Sequence, residues 1–173
     1  AADHVRAQPQ VDARRFAALG FSQGGVFSLL IAAHDPTVRA VVAYYPVTDF
    51  EYWLSAPRSR DPIEALVYRV IRWHFKRESG AQDEAEFVRM LHEASPLRQA
   101  ERIRTPVLLI HGERDTSAGV EESQRLAERL NGLGREVRLM VVEDAPHVFN
   151  FKQAQKARAA WDETLDWLAR YLR

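Results

Sequence analysis

The chain has 173 residues, 24 Lys+Arg against 24 Asp+Glu, and no cysteine. That length fits one domain, and 46% hydrophobic with 10% aromatic residues is enough for a buried core. The zero net charge suggests neither a nucleic-acid surface nor a membrane-binding basic face, the missing cysteines remove disulfides and thiolate metal sites, and no apolar run is long enough to span a bilayer.

Residues 1–10 read as the end of a helix. Phe16, Ala17, Ala18 and Leu19 predict a strand over 15–19, and Val26, Phe27, Leu29, Leu30, Ala32 and Ala33 predict a helix after it. Between them stands Gly20-Phe21-Ser22-Gln23-Gly24-Gly25. A strand, a sharp turn with Gly-x-Ser-x-Gly and a helix, in that order, form the nucleophile elbow of serine hydrolases. The turn needs small residues. Its serine sits in a strained backbone conformation, and bulk at Gly20 or Gly24 is expected to collide where strand and helix close on each other. The hydroxyl then lies at a helix start, where amide N–H groups and the helix dipole favour negative charge.

A second strand is predicted over 40–45. Residues 50–104 read as a helical insertion. Asp61-Pro62 fits a helix start, with Asp as N-cap and Pro at the first helical position. Ile63, Leu66, Val67, Val70, Ile71 and Phe75 follow at helical spacing, and a second helix carries Phe87, Met90 and Leu91. These helices pack on the sheet, or cover Ser22 as a cap in which Trp53, Tyr68 or Trp73 lines an apolar acyl pocket; both can hold together. Arg58, Arg60, Arg72, Lys76 and Arg77 read as a solvated face. Asp49 reads as a turn cap, with the mouth of the site as its alternative.

Residues 106–111 form a nearly continuous apolar run, the pattern of a strand buried on both faces. The polar turn Gly112-Glu113-Arg114-Asp115 follows, then a helix over 120–130, a turn over 131–134 and a strand over 137–142. His147 lies in the loop beyond that strand. A serine hydroxyl needs a histidine to take its proton, and the histidine needs a carboxylate to hold its tautomer. In this fold the chain order is Ser, acid, His, each past a strand end. Ser22, Asp115 and His147 fit that order, with Glu113 as the fallback acid. By local sequence alone Asp115 also reads as a helix N-cap or a solvated turn residue. His4 and His34 read as helix-surface or helix-end residues, His74 and His92 as helical, and His111 as a structural hydrogen-bonder. Trp161, Leu165, Leu168 and Leu172 give the last helix an apolar stripe.

Together, the segment 20–25, Ser95-Pro96, Thr105 to Asp115 (Thr-Pro-Val-Leu-Leu-Ile-His-Gly-Glu-Arg-Asp) and Pro146-His147-Val148-Phe149 resemble the α/β-hydrolase superfamily, in its dienelactone-hydrolase and prolyl-oligopeptidase-like branches. The resemblance implies Ser22 as nucleophile, Asp115 as acid, His147 as general base and the backbone N–H of Gln23 as one oxyanion donor. It also implies a Tyr at position 23 in the peptidase branch. Gln23 looks more like carboxylesterases and acyl thioesterases. Dienelactone hydrolases proper use a Cys nucleophile, which this chain lacks.

The fold expected is therefore α/β, a mostly parallel sheet flanked by helices, in one domain over 1–173 with the cap-like insertion at about 50–104. Only four strands are read, whereas the resemblance implies further strands before the nucleophile strand. The strand at 15–19 would then be an exposed edge, and the second oxyanion donor would come from the missing half. A complementing N-terminal half, or a homo-oligomer, is expected to supply both. Three functions remain open: a serine hydrolase of small-molecule carboxylic esters, a serine peptidase on short peptides, and a non-catalytic binding module. No organic cofactor or metal is implied, and the compartment is left open.

Overall fold

The computed structural model describes residues 2–55 and 62–173. Four strands, β1 (Ala17–Phe21), β2 (Ala40–Tyr44), β3 (Val107–Gly112) and β4 (Val137–Val142), form one sheet in the order β1-β2-β3-β4. All three pairings are parallel, with Leu19 opposite Val42, Val42 opposite Leu108, and Leu108 opposite Arg138. Every strand therefore points its C-terminal end to the same pole.

The inner strands β2 and β3 read as unbroken apolar runs because both faces are covered. On one face Val41, Ala43, Val107 and Leu109 pack against Leu29 of α2 (Gln23–His34) and against Leu126 and Leu130 of α6 (Glu121–Gly132). On the other, Val42, Tyr44, Leu108 and Ile110 pack against Ala160 and Trp167 of α8 (Ala154–Tyr171). The short helices α1 (Ala2–Arg6) and α7 (Phe149–Lys152) complete the flanks.

The stripe expected on α8 is displaced in part: Leu168 packs against the core as expected, but Trp161 and Leu165 do not. Ala160, Thr164 and Trp167 are the buried positions, while Trp161 is 46% and Leu165 49% exposed. The reason is Tyr44, whose hydroxyl donates to the Ala160 carbonyl at 2.9 Å and lies 2.7 Å from the Thr164 hydroxyl. That bond turns a small and a polar residue inward, which a search for large apolar side chains overlooks.

The insertion holds α3 (Phe50–Ser55), α4 (Pro62–Ser79), α5 (Glu84–Glu93) and a 3-10 helix (Pro96–Arg102). Leu54, Phe87 and Leu91 make a small core of their own with Phe50, Trp53 and Ile71. The face predicted for α4 is not the buried one: Leu66, Val67, Val70 and Phe75 are exposed, and Ile71 alone of that set enters the insertion's core. Asp61, Arg58 and Arg60 lie outside the described residues, as does the side chain of Ile63.

Polar bonds tie the insertion together and fasten it to the sheet layer. Ser95 Oγ donates to the Leu91 carbonyl at 2.6 Å and accepts from the Phe50 N–H at 2.9 Å, so the Ser95-Pro96 pair locks the end of α5 to the start of α3. Asp49 accepts from the Tyr52 N–H at 3.3 Å, the expected cap, but its fully buried carboxylate also meets Arg98 at 3.3 Å and Arg125 at 3.1 Å.

The elbow is tight where β1 meets α2. A Cβ on Gly20 would stand 2.1 Å from the backbone of Gly24. Position 24 itself has room for a Cβ, contrary to the collision expected there, and the second crowded glycine of the elbow is Gly25, where a Cβ would stand 3.2 Å from the Tyr44 carbonyl oxygen. Gly20→Ala is expected to destabilise by about 3 kcal/mol or more, the upper end for overpacked sites, whereas Gly24→Ala is expected to be neutral or stabilising by up to about 1 kcal/mol in its helix. Urea unfolding midpoints of the two variants measure the contrast; equal effects would contradict it.

Candidate active site

Three loops at the C-terminal pole converge. β1 delivers Ser22, the N-cap of α2, with φ 51° and ψ −117°. Its N–H donates to the Tyr44 carbonyl at 2.9 Å, so the strand ladder continues into the turn and holds the strained residue. An N-cap serine ordinarily turns its oxygen onto its own helix. Ser22 makes no such bond, and its Oγ lies 3.2 Å from Nε2 of His147.

The other ring nitrogen, Nδ1 of His147, donates to Asp115 Oδ2 at 2.6 Å. A carboxylate can only accept, so the proton sits on Nδ1 and Nε2 is left to accept from the serine. The three residues predicted from their order along the chain are thus brought within hydrogen-bonding reach. Asp115, and not Glu113, is the carboxylate that meets His147. Glu113 instead accepts from the Asp144 N–H at 3.0 Å.

Asp115 is held from all sides. Its side chain is 0% exposed, against 21% for His147. Oδ1 accepts from the N–H groups of Ser117 and Ala118, both at 2.9 Å. His111 Nε2 lies 3.4 Å from Oδ2 and donates to the Ala118 carbonyl at 2.6 Å, while Nδ1 accepts from the Ser123 hydroxyl at 2.7 Å. The structural role read for His111 is the one it has. Burial alone would raise the Asp115 pKa, but the bonds from His111, His147 and the Ala118 N–H outweigh it and hold the carboxyl well below its usual range.

The acid and histidine loops touch. The Arg114 N–H donates to the Ala145 carbonyl at 2.9 Å, and a Cβ on Gly112 would stand 2.3 Å from that same oxygen. Gly112 is therefore required by the approach of two loops. His147 is braced by the buried Tyr45, whose ring centroid lies 4.6 Å from the imidazole. The Tyr45 hydroxyl donates to Asn150 Oδ1 at 2.6 Å, and burial pushes its pKa up, keeping that proton in place. The only sequence signal for Tyr45 was its position at the end of a predicted strand.

Gln23 occupies the first turn of α2, where a backbone N–H has no helical acceptor and is available to an anion. Trp53 has a bond that sequence reasoning missed: its indole Nε1 donates to the Ser117 carbonyl at 2.7 Å. Ser117 in turn donates to Asp115, so Trp53 links the insertion to the acid loop. Tyr68 and Phe75 pack edge-on against Trp53, at 6.0 and 6.3 Å between ring centroids. Trp73 is 60% exposed, with Arg77 over its ring at 5.5 Å, and among the described residues no hydrogen bond or ring contact joins it to this chain of contacts. No group of three or more His, Asp or Glu suited to a metal ion occurs among the described residues.

The profile of the prolyl oligopeptidase family matches residues 1–173. The chain belongs to that family. It is similar to the "Uncharacterized peptidase YuxL" of Bacillus subtilis, 27% identical over 83% of this chain and 20% of YuxL. It is also similar to a Salmonella typhimurium protein provisionally named a carboxymethylenebutenolidase, 25% identical over 92% of this chain and 48% of that protein. Among solved structures, a puromycin-hydrolysing peptidase of Mycobacterium tuberculosis superposes with a TM-score of 0.79 at 23% identity, over 99% of this chain and 24% of that one. A Klebsiella pneumoniae protein provisionally named a dienelactone hydrolase gives 0.66 at 24% identity, over 98% and 59%. These likenesses establish the α/β-hydrolase fold. The chain spans about half or less of the length of these curated relatives.

Because the folded Asp115 pKa is depressed below the unfolded value of about 3.9, its stabilising contribution is complete above that pH and is lost as pH falls towards the folded value. Between pH 5 and pH 3 the denaturant midpoint of the protein is expected to fall more steeply than that of Asp115→Asn. Parallel pH profiles for the two would contradict the assignment.

Proposed function

We propose that this chain carries the nucleophile, acid and base of a serine hydrolase acting on carboxylic esters. The observation behind this reading is the continuous relay from the Ser22 hydroxyl through both nitrogens of His147 to the buried Asp115 carboxylate. Ser22 Oγ attacks the ester carbonyl as its proton passes to His147 Nε2. Asp115 stays ionised and stabilises the imidazolium through Nδ1–H. The oxyanion accepts the Gln23 N–H. His147 then returns the proton to the departing alcohol, leaving an acyl-Ser22 ester, which water cleaves by the same steps in reverse roles.

One N–H makes half an oxyanion hole, and a missing donor costs about 2.7–4 kcal/mol of transition-state stabilisation. We place the second donor on a segment that pairs with β1. In the sheet as described, β1 has a neighbour on one side only, and Phe27 and Ile31 of α2 are exposed. Such an apolar edge favours a covering strand, from elsewhere in the polypeptide or from a second copy.

A peptide substrate is the second reading, favoured by the family match over the whole chain. Gln23 supports the ester. Turnover of p-nitrophenyl esters with no cleavage of short peptide nitroanilides would select the ester, and the converse the peptide.

On the full-length polypeptide, a fluorophosphonate probe is expected to label Ser22, with no labelling in Ser22→Ala and labelling slowed by at least about a thousandfold in His147→Ala. An unlabelled Ser22 in folded protein would refute the proposal. Trp53→Phe keeps the ring and deletes the indole N–H. A net hydrogen bond contributes about 1 kcal/mol to stability, so the unfolding free energy is expected to fall by about that amount. Because this bond holds the Asp115 loop, labelling of the folded protein is expected to slow by up to about fivefold; an unaltered labelling rate would contradict the link.

A further inference from the structure

The pole of the sheet opposite Ser22 carries a cleft of about 590 Å³, within the range of small-molecule sites. It forms where Arg39 enters β2, Arg104 enters β3 and α8 ends. Its walls hold Arg39, Arg102, Arg104, Arg170 and Arg173, with no acidic side chain among them. Arg170 reaches Glu136 at 3.4 Å, and Arg173 Nε donates to the Ala169 carbonyl at 3.0 Å. Among the described residues, Arg39, Arg102 and Arg104 have no carboxylate within ion-pair distance. The nearby carboxylates are already engaged: Asp35 by Arg6 at 2.6 Å and Glu101 by Arg129 at 2.8 Å.

Basic residues gather at helix C-termini without any ligand, because the carbonyl ends are partly negative. Here α2, the 3-10 helix and α8 all end at the cleft. Each end is worth at most about half a negative charge. Leave Arg173 aside, let Glu136 neutralise one arginine, and let the three helix ends offset about one and a half charges. About one and a half positive charges are still unmatched. The helix ends account for the presence of arginines but not for their number.

We propose that this cleft binds a small polyanion carrying two or more phosphate groups. Guanidinium forks match phosphate oxygens in pairs, and converging arginines from separate elements favour a compact, multiply charged ligand over a single ion. The balanced total charge of the chain, 24 basic against 24 acidic residues, speaks against an extended nucleic-acid track. A ligand here would touch the entry of β3, the strand whose far end leads to Asp115, without competing for the Ser22 pole.

The test is calorimetric titration of the full-length polypeptide with sodium tripolyphosphate at constant ionic strength. Saturable binding is expected, at least about tenfold tighter than for inorganic phosphate. The Arg39→Gln, Arg104→Gln double variant should weaken it by at least about tenfold. Labelling of Ser22 by a fluorophosphonate at the unaltered rate would show that the variant is folded. A control pair with the same charge loss elsewhere, Arg77→Gln with Arg89→Gln, should bind as the parent does. Absence of saturable heat, equal weakening in the control pair, or tighter binding of oligoglutamate or single-stranded RNA than of tripolyphosphate would each overturn the proposal.

Discussion

A carboxylate taken out of water survives as an anion only if its lone pairs are filled, and the Asp115 environment is built around that requirement. Two backbone N–H groups fill one oxygen, and two imidazoles face the other. One of those imidazoles, His111, cannot leave, because its own nitrogens are committed to Ser123 and Ala118. The second, His147, is about one-fifth exposed and turns Nε2 to the Ser22 hydroxyl. The bonds that fix Asp115 therefore also fix the tautomer and the direction of His147. An unpaired buried charge would cost several kcal/mol, so loop order and loop chemistry are not separable here. The arrangement that satisfies Asp115 is also the one that turns His147 towards Ser22.

Backbone strain collects at the same pole. All four non-glycine residues with positive φ among those described, Ser22, Tyr45, Asp144 and Val148, lie at or just past strand ends around this relay. Val148 at φ 53° is the least natural of them, since a β-branched side chain resists that region. It directly follows His147 and caps α7. Strain of this kind persists only where the surroundings overdetermine it. The contacts that do so are visible: the Ser22 N–H on Tyr44, the Tyr45 N–H on Ile110, and the Arg114 N–H on Ala145.

Legibility from sequence followed the physics of each signal. The inner strands were readable because burial on both faces forces continuous apolar runs, and residues 137–142 were placed to the residue. Ser22, Asp115 and His147 were readable because parallel strands deliver their C-terminal ends to one pole, so chain order carries spatial meaning. The faces of α4 and α8 were readable only at Ile71 and Leu168. Apolar periodicity ranks side chains by size, whereas the packing of α8 was decided by one tyrosine hydroxyl seeking an acceptor. The Trp53 bond to Ser117 was equally hidden, since an indole N–H on a carbonyl of an unrelated loop has no local signature. The glycine rule was half legible: Gly20 was identified, but the crowding came at Gly25 and Gly112, where separate segments meet.

The parallel sheet also explains why the two ends of the molecule differ in charge. At the Ser22 pole the helix following β1 begins, and its free N–H groups favour a developing anion. At the other pole helices end, their carbonyls attract cations, and arginines accumulate. A fold that concentrates N–H donors at one end must concentrate carbonyl acceptors at the other, so the electrostatic asymmetry precedes any particular function. What the sequence adds is position. It puts a strained serine at the donor end, where the charge of a reaction would develop. At the acceptor end it puts more guanidinium groups than the carbonyls can balance.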